Sequence, residues 1–138
     1  MMFMRNDAGV QYISYSENNG ETWSPAEPSN IKSPVSPASI KRIPSTGDLL
    51  MAWNNNGGED DAIAGKRTPF NVAISKDEGK TWEHNKTVED DPNGWYCYTA
   101  IDFVEDYVLL GHCAGNREEN NGLAVTHITR LDLDWIYR

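Results

Sequence analysis

The chain has 138 residues and a formal net charge of −9, with 21 acidic against 12 basic side chains. This length suffices for one ordinary domain, and the acidic balance argues against a protein that binds nucleic acid through a basic face. No stretch approaches the roughly 18 apolar residues of a membrane span. Residues 1–5 are too short for a signal peptide, and the two cysteines do not fix a compartment.

Short runs of β-branched and aromatic residues, separated by turn residues, predict strands along the whole chain. In chain order they are the end of a strand at 3–5, then 10–15, a strand near Trp23, 38–43, 49–53, 70–75, 82–88, 97–104, 107–112 and 123–131. Four prolines between 25 and 37 limit that segment to edge strands or extended coil. Residues 132–137 favour a closing helical turn. The pattern is typical of an all-β meander of hairpins.

Residues 75–82 match the pattern Ser-x-Asp-x-Gly-x-Thr-Trp, known as the Asp box. Its defining residues are Ser75, Asp77, Gly79, Thr81 and Trp82. An aspartate in this position can accept backbone N–H bonds across a tight turn, and the glycine can supply a positive φ. The indole that follows can fold back over the loop. We therefore predict a structural staple with no catalytic role.

A second copy of the box lies upstream, with asparagine in place of the aspartate. Its defining residues are Ser16, Asn18, Gly20, Thr22 and Trp23. Because an amide oxygen can accept the same hydrogen bonds, we expect this turn to form as well. Two boxes about 60 residues apart make an internal repeat, which is typical of stacked units or propeller blades.

These boxes, with the strands between them, resemble the C-terminal part of the sialidase superfamily, whose members are six-bladed β-propellers with Asp-box (BNR) repeats. The resemblance covers essentially the whole chain. It implies an all-β fold, a partial β-propeller of two to three antiparallel blades. We expect one segment over residues 1–138, with blade repeats around 1–60 and 61–120 and a closing strand and turn at 121–138.

The resemblance also implies three site residues. Arg5, on a strand shortly before the first box, and Arg67, just before the second, look like two arginines of the family's substrate-binding triad. Tyr98, in the run Tyr-Thr-Ala-Ile, takes the place of the catalytic tyrosine nucleophile. Guanidinium groups suit the carboxylate of a sialic acid. A neutral tyrosine avoids the repulsion that a carboxylate nucleophile would meet, and sialidases are a known exception to paired-carboxylate glycosidases.

The match departs from the family pattern in several places. The family's first arginine, its acid/base aspartate and its glutamate all precede the segment that matches Arg5, so we expect this chain to lack them. Arg42 stands in an Arg-Ile-Pro motif, but it follows an Asp box, and we interpret it as a surface residue of a hairpin. The family's Leu-Leu-Tyr-Glu ending is here Leu-Leu-Gly-His at 109–112, which indicates a divergent branch.

Each candidate has a structural alternative. Arg5 could be a solvated terminal residue, Arg67 a surface charge, and Tyr98 a buried structural tyrosine with Tyr96 as its competitor. The indoles of Trp53 and Trp95 fit blade packing better than sugar stacking.

The sequence predicts no metal site and no cofactor. The acidic run 59–61 favours a solvated loop over a calcium site. The set His112, Cys113, Cys97 and His127 lacks zinc-ligand spacing, and the two cysteines fit half-buried thiols on neighbouring strands.

Three functions stay open at this point. The first is a sialidase-like exo-glycoside hydrolase segment, whose partner is a sialylated or related acidic glycan. The second is a non-catalytic glycan-binding or scaffold propeller fragment, and the third is a truncated product that folds only in part. Two to three blades are fewer than the four of the smallest closed propellers, and an open array exposes strand edges. We therefore expect the isolated chain to be inactive, either as a fragment of a longer protein or as a chain that needs partner chains to complete the ring.

Overall fold

The computed structural model describes all residues from Met1 to Arg138. It contains ten strands and one short helix. The elements are β1 (Met2–Met4), β2 (Val10–Ser14), β3 (Glu27–Lys32), β4 (Ser39–Arg42), β5 (Leu49–Asn54), β6 (Phe70–Ser75), β7 (Glu83–Glu89), β8 (Gly94–Val104), β9 (Tyr107–Asn116), β10 (Thr126–Asp132) and α1 (Leu133–Tyr137). The all-β prediction is confirmed. The helix is five residues long, and no helix has the length and apolar character needed to cross a membrane.

The strands form three antiparallel sheets in which chain neighbours are also spatial neighbours. The first sheet has the order β1-β2-β3, the second β4-β5-β6-β7, and the third β8-β9-β10. The hairpin β4–β5 therefore shares a sheet with the second Asp-box hairpin, β6–β7. The strand expected near Trp23 begins later, at Glu27, because Trp23 still belongs to the first Asp-box turn, where its indole donates to the Gly20 carbonyl.

The second sheet lies between the other two, and its two inner strands are buried on both faces. Every residue of β5 and β6 is buried. Because side chains alternate along a strand, Leu50 and Ile74 point to one face and Met51 and Ala73 to the other. A continuous apolar run such as Leu-Leu-Met-Ala-Trp at 49–53 is what burial on two faces requires.

Two hydrophobic clusters fill the spaces on either side of this central sheet. The larger lies between the second and third sheets and is closed by α1, which contributes Leu133 and Ile136. The smaller lies between the first and second sheets and contains Ile31, Met51, Trp53 and Ala73. The three sheets therefore stack face to face like blades, with one hydrophobic cluster between each neighbouring pair.

The second Asp box is held by its own side chains. The hydroxyl of Ser75 accepts a hydrogen bond from the N–H of Gly79 at 2.8 Å. Asp77 accepts from the Thr81 N–H at 2.8 Å and from the Thr81 hydroxyl at 2.6 Å. These bonds, from the Thr81 side chain above all, lower the pKa of Asp77 to about 2. Gly79 has a φ of +83°, and Glu78 before it is also left-handed, at +61°.

The first Asp box forms the same turn with an amide. Asn18 accepts from the Thr22 N–H at 2.9 Å, and Ser16 accepts from the Gly20 N–H at 2.8 Å. Here the amide of Asn18 donates to the Thr22 hydroxyl at 2.9 Å, whereas in the second box the threonine donates. The indole of Trp23 donates to the Gly20 carbonyl at 3.1 Å and so covers the turn.

The two boxes provide a matched pair for mutation. Ser75 and Gly79 are both buried, so Ser75→Ala leaves a buried N–H without an acceptor, and we expect it to lower the free energy of unfolding by about 1–3 kcal/mol. Gly20 is exposed, so water can replace the hydroxyl in Ser16→Ala, and we expect a loss below about 1 kcal/mol. Urea unfolding of both variants measures the difference; equal losses would contradict it.

Candidate functional site

Arg5 and Arg67 lie in equivalent connections of two neighbouring sheets. Arg5 lies between β1 and β2, and Arg67 lies between β5 and β6. In both sheets the next connection along the chain is the Asp box, which lies at the opposite end of the strands because the pairing is antiparallel. The two arginines are therefore presented at the sheet ends away from the boxes.

Tyr98 is presented by an irregularity in β8. The pairing of β8 with β9 shifts register between Cys97 and Ala100, and Tyr98 has a φ of +55°. A bulky residue in the left-handed region is rare and carries strain, and such residues cluster at functional sites. The bulge turns this ring outward, so that Tyr98 is 50% exposed.

Tyr96, the competing tyrosine, has the opposite environment. It is 6% exposed and stacks against Phe70 in the larger core cluster. Burial first, and the nearby carboxylate of Glu89 second, raise the pKa of Tyr96 to about 12. The register shift after Cys97 separates the two tyrosines, which plain alternation would have placed on one face.

The three predicted site residues come together in space. The Cζ atom of Arg67 lies 5.1 Å from the centre of the Tyr98 ring. The guanidinium groups of Arg67, and then of Arg5, favour the phenolate and lower the pKa of Tyr98. The carbonyl of Arg67 also accepts a hydrogen bond from the N–H of Tyr96 at 3.0 Å, which ties this connection to β8.

The charge around Tyr98 is positive. Apart from desolvation, only the two arginines shift its pKa, and no carboxylate contributes. Burial is the largest single influence and acts to lower the pKa of Arg67, but the neighbouring Tyr98 hydroxyl and Cys97 thiol together outweigh it, and the net pKa is raised. A pair of permanent cations beside a phenol forms a site that can attract an anion.

Trp95 and Arg117 extend this cluster. The Cζ atoms of Arg117 and Arg67 lie 4.2 Å and 5.7 Å from the Trp95 ring, within the range of cation–π contacts. Gly122 packs on the same indole, where an added Cβ would stand 3.1 Å from a ring carbon. Trp95 Nε1, Arg67 Nη1 and Arg117 Nε are buried donors without a protein acceptor. Trp95 was considered from the sequence, whereas Arg117 in its polar loop gave no signal.

Other residues singled out from the sequence lie elsewhere. Arg42 is exposed and forms a two-pronged ion pair with Glu78, at 2.9 Å and 2.7 Å, which agrees with its interpretation as a surface residue. His112 is buried against Phe70, and its ring contacts the Thr129 hydroxyl at 3.0 Å. Cys97 and Cys113 are free thiols facing each other across β8 and β9. No three His, Cys, Asp or Glu side chains converge on a metal-sized space.

A family model described as "BNR repeat-like domain" matches residues 1–110, which include both Asp boxes, both arginines and Tyr98. The chain belongs to this family. The match covers well over half of the sequence and confirms the predicted relationship to BNR-repeat proteins.

One solved structure is similar to this BNR-repeat protein over nearly all of its length. It is the intramolecular trans-sialidase from Ruminococcus gnavus in complex with oseltamivir carboxylate. The TM-score is 0.68 at 17% identity, and the likeness covers 97% of this chain and 30% of that protein. At this identity it supports the fold alone. The three sheets are therefore blades of a partial sialidase-type propeller, as predicted, and they form no closed ring.

The charge around Tyr98 predicts the order in which the tyrosines ionise. The two arginines stabilise the phenolate, so Tyr98 should ionise below the ordinary value of 10.0, whereas Tyr96 and Tyr137 should ionise at about 12. Ultraviolet absorbance measured against pH follows phenolate formation. We expect Tyr98→Phe to remove an absorbance rise at the low-pH end of the titration, and Tyr96→Phe to remove one at the high-pH end. Arg67→Ala should move the Tyr98 rise to higher pH. A low-pH rise that survives in Tyr98→Phe would contradict the assignment.

Proposed function

We propose that this chain is the carboxylate-binding part of a sialidase-type exo-glycoside hydrolase. Arg5 and Arg67 bind the carboxylate of a sialic or related ulosonic acid, and Tyr98 occupies the nucleophile position. The observation that carries the proposal is that the Arg67 guanidinium lies 5.1 Å from the centre of the Tyr98 ring, and that Arg5, from a neighbouring blade, also lowers the pKa of this phenol. A guanidinium offers two parallel N–H donors to a carboxylate, which fixes the sugar as well as attracting it.

In this proposal the Tyr98 hydroxyl attacks the carbon next to that carboxylate. In the reaction the Tyr98 oxygen forms a bond to the anomeric carbon while the bond to the leaving-group oxygen breaks. The phenolic proton passes to a base, and the leaving oxygen takes a proton from an acid. The arginines of this chain lower the pKa of Tyr98 and so assist the first proton transfer, but neither can accept the proton.

The same geometry leads us to propose that the isolated chain binds but does not turn over. A sialidase nucleophile needs a neighbouring base, and no carboxylate acts on Tyr98 here. The related trans-sialidase is much longer, and this chain spans about 30% of its length. The base that accepts the Tyr98 proton and the acid that protonates the leaving oxygen would come from other parts of a complete propeller, in the same polypeptide or in partner chains.

Two measurements on the 138-residue chain test this function. We expect no turnover of a fluorogenic sialoside above the uncatalysed rate. We expect calorimetry or NMR to detect saturable binding of N-acetylneuraminic acid and much weaker binding of its methyl ester, which keeps the shape but loses the charge. Equal binding of acid and ester, or no binding of either, would overturn the carboxylate site. Turnover that is abolished by Tyr98→Phe would overturn the proposed inactivity.

A non-catalytic glycan-binding propeller is the second candidate function. It is favoured because Arg5 is exposed and Arg67 is half-buried, while no carboxylate influences the pKa of Tyr98. The two candidates differ once the chain is supplied with the rest of a sialidase-type propeller. Restored turnover that depends on Tyr98 favours the hydrolase, and binding without turnover favours the binding module.

A further inference from the structure

A cavity lies at the junction of the first and second sheets and shares no residue with the arginine and tyrosine site. Its volume is about 370 Å³, which is at the lower end of the range for small-molecule sites. Half of the eight lining residues are hydrophobic and half carry amide or amine groups. The cavity therefore offers an apolar surface and hydrogen-bonding groups together.

The apolar part of the cavity is formed by the half-buried indole of Trp82 beside the buried indole of Trp53, and contacts with other residues hold both rings in place. Trp53 is 4% exposed, and its Nε1 donates to the Lys32 carbonyl at 3.1 Å. Trp82 closes the second Asp box and packs edge-on against Phe3 at 6.3 Å between ring centres. Ile31 lies beside them in the same cluster. A rigid aromatic surface is pre-organised to receive the apolar face of a ligand, because little side-chain entropy is lost on binding.

The polar rim consists of three asparagines from three different elements. Asn30 lies in β3, Asn55 directly follows β5, and Asn85 lies in β7. Asn30 and Asn85 are exposed and Asn55 is half-buried, so their amides can reach a ligand. The Oδ1 of Asn85 accepts from Asn71 at 2.8 Å, which orients its N–H groups away from that bond. Each amide can both donate and accept, and this matches hydroxyl groups, which do the same.

The charge of the cavity favours a neutral ligand. Its one charged lining residue is Lys32, and the ammonium of Lys32 is already paired with the carboxylate of Glu59. With this ion pair in place, the rim offers uncompensated dipoles but no net charge. An anionic sugar would find no unpaired cation in this cavity, whereas the arginine site offers two.

We propose that this cavity is a separate binding site for a neutral hexose ring. The carbon face of the ring packs on the half-buried indole of Trp82, beside the buried Trp53, and its hydroxyls bond to the amides of Asn30, Asn55 and Asn85. The site does not depend on the carboxylate-binding function, since no group is shared between them. The chain would then hold a neutral sugar at the junction of two blades and an acidic sugar at their ends.

NMR of the full chain tests this site with lactose as the neutral probe. The indole N–H resonances of Trp53 and Trp82 report on the cavity. We expect them to shift saturably with lactose and not with N-acetylneuraminic acid at the same concentration. Asn30→Ala combined with Asn55→Ala removes two rim amides, and we expect at least a tenfold weaker affinity, with the dispersion of the other resonances unchanged.

The control variant is Arg67→Ala, which should leave the lactose response intact. This control separates the two proposals, because the acidic-sugar site can fail while the neutral-sugar site survives, and the reverse. A lactose response that does not saturate, or that survives loss of both asparagines, would overturn the neutral-sugar site. So would a response that disappears in Arg67→Ala while the fold is kept.

Discussion

Replacing Phe70 with alanine is expected to lower the free energy of unfolding by about 3–5 kcal/mol, the largest stability effect predicted for this chain. Phe70 is 1% exposed and begins β6, in the central sheet. Its ring lies 4.6 Å from His112 and 6.3 Å from Tyr96, both in the third sheet. Removing it therefore opens a cavity where two blades are packed together.

The matched control is Ile128→Ala in β10. Ile128 is 76% exposed, so its side chain has little packing to lose, and we expect a change within about 0.5 kcal/mol. Urea unfolding followed by circular dichroism measures both variants. A loss below about 1 kcal/mol for Phe70→Ala would mean that the second and third sheets are not held together by this core.

Replacing Arg67 with alanine is expected to weaken binding of N-acetylneuraminic acid about ten- to a hundredfold. A hydrogen bond to a charged group contributes roughly 1.5–3 kcal/mol, and each 1.4 kcal/mol is a factor of ten in affinity. The guanidinium of Arg67 is partly buried between Trp95 and Tyr98, so a bound carboxylate would be less screened there than at an open surface. Calorimetric titration gives the affinity ratio.

Two further variants separate the chemistry of Arg67 from its charge. Arg67→Lys keeps the charge but loses the planar pair of donors, so we expect an intermediate loss. Arg42→Ala removes an equal charge from the surface ion pair with Glu78, and we expect unchanged affinity. If Arg42→Ala weakens binding as much as Arg67→Ala does, the effect comes from net charge and the proposed carboxylate site is wrong.

Most strands could be read from local sequence. The run 70–75 coincides with β6, because alternating β-branched residues end at the first serine of an Asp box. The closing turn predicted at 132–137 appears as α1, since the Asp132 side chain caps it by accepting from the Asp134 N–H at 2.8 Å. The Asp boxes could be predicted for a similar reason: all of their bonds are made within a few residues.

The candidate site was only partly accessible from sequence. The resemblance pointed to Arg5, Arg67 and Tyr98, but the pattern alone could not distinguish Tyr98 from Tyr96. The bulge after Cys97 leaves the Tyr98 ring exposed and the Tyr96 ring buried, and a bulge depends on how β8 fits against β9 and β4. The Ser39 hydroxyl of β4 donates to the Thr99 carbonyl at 2.6 Å within that bulge, and these two residues are 60 positions apart in the sequence.

The amino-acid sequence by itself determined most of the strands, the two Asp-box turns and, through the spacing of those turns, a repeat of blades. Those features depend on contacts between near neighbours in the chain. The tertiary structure alone decided which arginines meet a tyrosine, why Arg42 does not, and how Arg117 reaches Trp95. These encounters are set by the packing of one sheet on the next, which joins residues that are far apart in the sequence.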